Sequence, residues 1–190
     1  MIQAGIDDEK FIRGDVPMTK AEIRAMVMVK ARIRETDIVW DVGAGTGSIT
    51  IEAALQASRG KVFAVERNPE GVDLIGQNAD RFGLDNIRIV HGSAPDALED
   101  LPPANVIIIG GSGGKLDRIF DVCEQSLQSD GRIVCTSVTV ETAYRVVAEL
   151  RRRKWRYEGF QMQVNRLRKA GPYHLFQPIS PIFIITATKQ

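Results

Sequence analysis

The sequence is poor in the residues that build metal centres and disulfide frameworks. Its 190 residues include two cysteines and two histidines. Cys123 falls in an expected helix and Cys135 in an expected strand, no CxxC pair occurs, and His91 and His174 stand far apart. A zinc site and a disulfide scaffold are thereby excluded, which leaves buried structural thiols as the reading. The chain also lacks an apolar run of the roughly 18 residues that a membrane helix needs. Its opening, MIQAGIDDEKF, carries acids where a secretory signal would be basic and then apolar. A soluble, cytoplasmic protein is expected. No internal repeat, low-complexity tract or linker divides the chain, and 44% hydrophobic residues suffice for a core, so one domain over 1–190 is expected.

The net charge of +1 is unevenly placed. Residues 141–190 carry ten Lys/Arg against three Asp/Glu, a balance of +7 that leaves −6 for the remainder. Such a segment suits an anionic partner, although a basic run such as RRRKWR (151–156) at a helix end also reads as a solvated terminus favoured by the helix dipole.

What the chain does have is a regular alternation of apolar strands and amphipathic spans. Thr19-Lys20-Ala21-Glu22 has the form of a capping box before a helix over about 20–33. DIVWDVG (37–43), KVFAVE (61–66), NIRIV (86–90), NVIIIG (105–110) and GRIVCTSV (131–138) read as short buried strands. Helices are expected after the glycines at 43–47, from Pro69 to Phe82, near 115–127 and over 139–153. Strands separated by helical spans mean crossovers and a mainly parallel sheet. After Arg153 the pattern changes to two strand-like runs, YEGFQMQV and SPIFIITAT, separated by the glycine- and proline-bearing RKAGPYHLFQP. They predict an antiparallel pair at the sheet edge. An exposed edge is a liability that assembly covers, so this hairpin, 157–188, is the expected subunit contact.

DVGAGTG (41–47) lies between the first strand and its helix, where glycines let a backbone approach a ligand closely. A dinucleotide fingerprint wants G-x-G-x-x-G or A, and counting from Gly43 the last of these positions is Ser48. The spacing is instead G-x-G-x-G, with Asp41 two residues before it and Glu66 closing the second strand 23 residues after Gly43. This resembles the first motif of the class I S-adenosylmethionine (SAM) methyltransferases, with Glu66 as the acid that takes the ribose hydroxyls. The resemblance implies a Rossmann-like α/β fold: a mainly parallel seven-stranded sheet with an antiparallel edge hairpin and helices on both faces.

At the exit of the fourth strand, where base-modifying enzymes usually carry an Asn/Asp-Pro-Pro-aromatic motif, this chain has Gly110-Gly111-Ser112-Gly113-Gly114. Together with PMTK, DVGAGTGSIT, ERNPE and GSAPDAL, this run closely resembles the precorrin-6Y C15-methyltransferase (decarboxylating) family, also described as cobalt-precorrin-6B C15-methyltransferases, CbiT. The resemblance implies methylation at C15 of a precorrin or cobalt-precorrin, with decarboxylation of the C12 acetate, in cobalamin biosynthesis. It implies SAM contacts from Thr19, Gly43, Ala44, Gly45, Thr46, Gly47, Glu66 and Ala94, and a homotetramer in a form that stands alone. Thr19 also has the helix-cap reading, and both can hold.

For an anionic tetrapyrrole, Arg13, Arg166 and Arg168 are candidate carboxylate partners. Gly111, Ser112 and Gly113 are expected to form an unobstructed floor with backbone N–H groups available; a flexible strand-to-helix turn is the alternative. No residue is assigned as catalytic acid or base, no metal site is assigned, and neither a membrane nor a nucleic acid is an expected partner. Two other functions remain open: an RNA methyltransferase of the same fold, favoured by the +7 segment, and a SAM-binding assembly subunit without activity.

Overall fold

The structure, a computed structural model, describes residues 4–189. Five strands alternate with helices through the first three quarters of the chain. β1 (Ile38–Val42), β2 (Lys61–Glu66), β3 (Ile87–His91), β4 (Ala104–Ile109) and β5 (Leu127–Ser137) pair in parallel. α1 (Ala21–Ala31) precedes β1. α2 (Ser48–Gln56), α3 (Pro69–Phe82) and α4 (Leu116–Ser126) are crossovers, and α5 (Val140–Arg152) follows β5.

Periodicity explains the layering. In β4, Val106 and Ile108 join the core under α1 and α2, whereas Ile107 and Ile109 join the core under α4 and α5. Val39 against Trp40, Val62 against Phe63, and Val134 against Cys135 divide in the same way. Because both faces are covered, these strands are nearly continuous apolar runs. Cys123 and Cys135 are buried free thiols, and burial pushes the Cys123 thiol up to about 12, so neither serves as a nucleophile.

The chain then adds β6 (Arg156–Met162) and returns as β9 (Ile182–Thr188), which inserts antiparallel between β5 and β6. The sheet order is β3-β2-β1-β4-β5-β9-β6, the expected seven strands with one reversed. The connection expected between the two edge runs is not a plain loop. It forms a second sheet, β7 (Asn165–Ala170) with β8 (Tyr173–Pro178), turning at Gly171 with φ +61°. Alternation across RLRKA and YHLFQ supports this hairpin, and the glycine and proline that suggested a loop lie at its turn and its end.

The basic stretch at the end of α5 is solvated at Arg151, Arg152, Lys154 and Arg156, as expected, and departs from that at Arg153. The Arg153 side chain is buried, pairs with Asp121, Glu124 and Glu149, and lies over the Phe120 ring, while Trp155 is buried beside it. Arg152 shares Asp121 and Glu149.

The residues before α1 are held to the body by buried polar groups. Arg24 and Glu52, both fully buried, pair at 2.9 Å, and Arg24 also reaches Asp8 at 2.9 Å and the carbonyls of Thr19 and Ile6. Glu52 accepts from the N–H groups of Gly5 and Ile6. Asn78 exchanges hydrogen bonds with Ile12 and donates to the Thr46 carbonyl. A buried charge is tolerated when it is paired and hydrogen-bonded. Here the pairs fix the path that carries residues 16–20 to the sheet's carboxyl edge.

Candidate active site

One cavity of about 760 Å³ opens where the parallel strands end, within the roughly 300–1,000 Å³ usual for small-molecule sites. It collects the exits of β1 (Val42 to Thr46), β2 (Val65 to Asn68), β3 (Gly92 to Ala94), β4 (Gly110 to Gly113) and β5 (Thr136 to Val138). Residues 16–20 form one wall, and Ile179, Ser180 and Ile182 form another. In open α/β sheets the crevice beyond the strands' carboxyl ends is where ligands bind.

Three glycines make the first turn possible. Gly43, Gly45 and Gly47 have φ of +76°, +58° and +78°, a region that side chains with a Cβ rarely adopt. A Cβ at Gly43 would lie 2.8 Å from the Gly111 nitrogen, and one at Gly47 would lie 2.9 Å from Ile75 Cγ1. Four of the turn's five N–H groups are used internally, with that of Thr46 as the exception among the described residues: Gly43 and Ala44 donate to the Val65 carbonyl, Gly47 to Ala44, and Gly45 to Glu66 Oε2 at 2.8 Å. The turn therefore offers a ligand close approach and carbonyl oxygens. Thr46 Oγ1, buried in the cavity wall, has no hydrogen-bond partner among the described residues.

Glu66 is 8% exposed, and its carboxylate is held by three N–H groups: Gly45 on Oε2, and Arg67 and Asn68 on Oε1 at 2.9 and 2.8 Å. A carboxylate accepts at about four lone-pair positions, so one clear place remains, on Oε2. Gly71 makes room for it, since a Cβ there would meet Glu66 Cγ at 2.8 Å. Beneath the turn, Asp41 accepts from Thr50 Oγ1 at 2.6 Å. Burial, aided by the nearby charge of Glu66, pushes the Asp41 carboxyl up to about 6, with the Thr50 bond opposing.

The second glycine run divides in two. Gly113 and Gly114 have φ of +55° and +84°, so their backbone requires glycine, and Gly113 packs toward Arg67. Gly110 and Gly111 have no such requirement. A Cβ would find its nearest neighbour at 3.5 Å from Gly110 and 3.8 Å from Gly111, ordinary contact distances. Their N–H groups are already donated to the Val42 carbonyl. Of the floor expected at Gly111, Ser112 and Gly113, the N–H of Gly111 is thus spent: Gly110 and Gly111 supply open space, and the donors left for a ligand are those of Ser112 and Gly113.

Seven of the eight residues predicted for the cofactor line this cavity, as do Gly111, Ser112 and Gly113; Gly47 lies behind the turn, against Ile75. The cap reading of Thr19 is overturned. Lys20 is the cap residue of α1 and no side-chain cap bond forms. Asp8 Oδ1 takes the Ala21 N–H at 2.9 Å, while Arg166 claims Glu22 at 2.6 Å. Thr19 is left on the cavity wall.

The three candidate arginines lie elsewhere. Arg166 pairs with Glu22 and Asp8, which raises its own proton affinity and holds Glu22 below the usual carboxylate range. Arg13 and Arg168 are exposed and outside the cavity lining. Sequence reasoning missed Lys20 and the Thr136-Ser137-Val138 exit of β5, both in the lining. A strand ending in polar residues at the same sheet edge was the available signal.

A family model described as a precorrin methyltransferase domain matches residues 10–189. The chain belongs to the precorrin methyltransferase family. It is 38% identical over 185 residues to a cobalt-precorrin-6B C(15)-methyltransferase (decarboxylating) of Salmonella typhimurium, covering 96% of this chain and 95% of that protein. Among solved structures, a precorrin-6y C5,15-methyltransferase from Geobacter metallireducens superposes with TM-score 0.93 at 37% identity, covering 98% of this chain and 97% of that one. A Methanobacterium thermoautotrophicum protein described as precorrin 8w decarboxylase gives TM-score 0.91 at 32% identity, with 96% and 98% covered. The fold is that of the class I methyltransferases, and the chain is a methyltransferase by family.

Proposed function

We propose that this methyltransferase uses SAM to methylate C15 of a precorrin or cobalt-precorrin and releases the C12 acetate carboxylate as carbon dioxide, in cobalamin biosynthesis. The observation that carries the reading is the Glu66 carboxylate, fixed by three N–H groups over a turn of positive-φ glycines inside the cavity. Its remaining acceptor position suits a ribose hydroxyl. The turn's carbonyls suit an ammonium, and the orphaned Thr46 hydroxyl offers a further polar contact. These features fit SAM, which when bound supplies a methyl group on a sulfonium centre.

The chain's part in the reaction is mostly positioning. A displacement in which charge is neutralised needs alignment more than a strong base, and well-oriented reactants gain most from being held. Gly110 and Gly111 keep the approach clear, and the wall at residues 16–20 excludes water from one side. The electron pair left by decarboxylation passes into the conjugated ring, and the methylene left on C12 takes up a proton from solvent to become a methyl group, so the chain need not supply a buried acid. None is assigned.

The test is mass spectrometry of a precorrin-6B-type substrate incubated with enzyme and SAM. The product should gain one methyl group and lose carbon dioxide, and an unchanged mass would overturn the reading. For the cofactor, Glu66→Ala should lower SAM affinity by roughly 1.5–3 kcal/mol, about ten- to hundredfold, measured by calorimetry.

Assembly belongs to the same proposal. Leu167 and Phe176 face each other across the β7–β8 hairpin and, with Tyr173 and Leu175, remain well exposed. A two-stranded hairpin is marginal alone, which supports its use as the contact of a tetramer in the cytoplasm. Light scattering showing a monomer at micromolar concentration would contradict this. Three of the basic segment's ten cations, Arg152, Arg153 and Arg166, are spent on the chain's own acids, which supports a tetrapyrrole over a nucleic acid as the partner.

A further inference from the structure

The geometry points to Val138, Val140 and Tyr144 as an apolar shelf that receives the flat face of the tetrapyrrole beside the cavity. The inference rests on the reaction proposed above and adds where its large substrate sits. A cavity of about 760 Å³ that also takes the cofactor leaves most of a macrocycle outside it. The side on which the disc lies follows from strand order. Glu66 marks the cofactor's ribose at the end of β2, and in the order β3-β2-β1-β4-β5-β9 the unclaimed half of the cavity is at the exits of β4 and β5 and the start of β9.

On that half the wall leads at Val138 to a turn and helix start that carry further exposed apolar side chains. Val138 lines the cavity at the end of β5 and is 65% exposed; Val140 and Tyr144, at the start of α5, are 68% and 73% exposed. Positions four apart share one helix face, so Val140 and Tyr144 stand together. Contiguous exposed apolar surface marks a binding site more often than an isolated exposed side chain does.

The shelf is also held in place. Ser137 Oγ donates to the Thr139 carbonyl at 2.8 Å and accepts from the Thr139 N–H at 3.1 Å, clamping the backbone on both sides of Val138. Thr139 Oγ1 then caps α5 by accepting from Thr142 N–H at 3.2 Å. Three apolar side chains at a fixed turn suit an apolar ring, which aromatic and branched residues contact with little loss of freedom. The charges beside the shelf are the exposed Glu141, in the first turn of α5, and two cations that suit a carboxylate periphery. Arg145, adjacent to Tyr144, and Lys20, on the cavity wall, form no ion pair among the described residues. A disc with an apolar face and an anionic rim matches both.

The test compares wild type with a Val140→Ser/Tyr144→Ser double variant and with Tyr144→Phe. Four quantities are read: KM and kcat for a precorrin-6B-type substrate, SAM affinity by calorimetry, quenching by uroporphyrin as a stable polycarboxylate macrocycle, and mass by sedimentation. The double variant is expected to raise KM and the uroporphyrin dissociation constant about tenfold, equivalent to about 1.4 kcal/mol. SAM affinity, melting temperature and sedimenting mass should stay unchanged, and Tyr144→Phe should keep the wild-type KM.

An unchanged KM alongside wild-type turnover would overturn the shelf while leaving the reaction intact. A drop in sedimenting mass would show that a second copy of the chain covers the surface instead. A wild type that neither turns over the substrate nor binds uroporphyrin would overturn the reaction itself, and the occupant with it.

Discussion

The two glycine runs at the rim of the cavity use one residue type for different physical ends. At 43–47 all three glycines have positive φ and two of them press against neighbouring atoms at less than 3 Å from an imagined Cβ, so conformation and packing both demand them. At 110–114 the demand splits: Gly113 and Gly114 are conformational, whereas Gly110 and Gly111 have ordinary φ and room for a side chain. The first run is small because the protein must fold through it. The first half of the second is small because something else must pass. The two runs meet where Gly43 packs on Gly111, which makes them separable by mutation only if the variants are chosen from this geometry.

The largest expected effect is at Gly43. Gly43→Ala places a Cβ 2.8 Å from the Gly111 nitrogen at φ +76°. Left-handed strain and overpacking together should cost about 3 kcal/mol. For a chain of this size that is a fall of roughly 6–12 °C in melting temperature. Gly111→Ala, its contact partner, should melt within about 2 °C of wild type. Similar losses at both positions would erase the distinction between the runs.

Next comes the function of the open half. Gly111→Val should fold and bind SAM with near-wild-type affinity, yet lose about a hundredfold in kcat/KM, the scale on which a misplacement of the reacting groups acts. Gly113→Ala should show the opposite profile, costing about 1–2 kcal/mol of stability for a left-handed residue while turnover in the folded fraction persists. Calorimetry, melting and steady-state rates on the same preparations check both. A stable, SAM-competent Gly111→Val with full activity would mean that the open half, too, is only a turn.

The same contrast explains what could be read from the sequence. The succession of strands and helices and the alternation of two cores follow from patterns with a fixed period, and G-x-G-x-G with an acid at the next strand end is legible because each position has a local reason; the order of strands within the sheet has no such period. Long-range polar contacts have no such signature. Nothing in THR–GLU spacing discloses that Arg166, from a hairpin 144 residues away, takes Glu22 and dissolves the capping box at Thr19. Arg153 looks like a solvated terminal charge until Asp121, Glu124 and Glu149 are brought around it. Glycines at 110–114 looked alike because glycine conceals its φ, and only the backbone separates 110–111 from 113–114.

The smallest expected effect concerns what lies beneath each run. The strand under the second run ends in Ile108 and Ile109, apolar and buried, but the strand under the first contains Asp41, which is buried and bonded to Thr50. Burial raises the Asp41 carboxyl from 3.8 to about 6, so between those values the native chain holds a proton that the unfolded chain has released. Stability contributed by this group is therefore lost as pH rises through that window, and at pH 8 the buried charge costs at most about 3 kcal/mol. Asn has nearly the same shape, keeps an oxygen for Thr50 and carries no charge. Its extra N–H groups need partners, which limits the gain. Asp41→Asn should thus be more stable than wild type by about 1 kcal/mol at pH 8 and less stable by about 1 kcal/mol near pH 4, where wild type is protonated and the amide's N–H cost remains, as read by denaturant titration at the two values. If the variant is less stable at pH 8, the charge itself holds the first turn in shape, and the costs under the two runs differ in kind rather than in size.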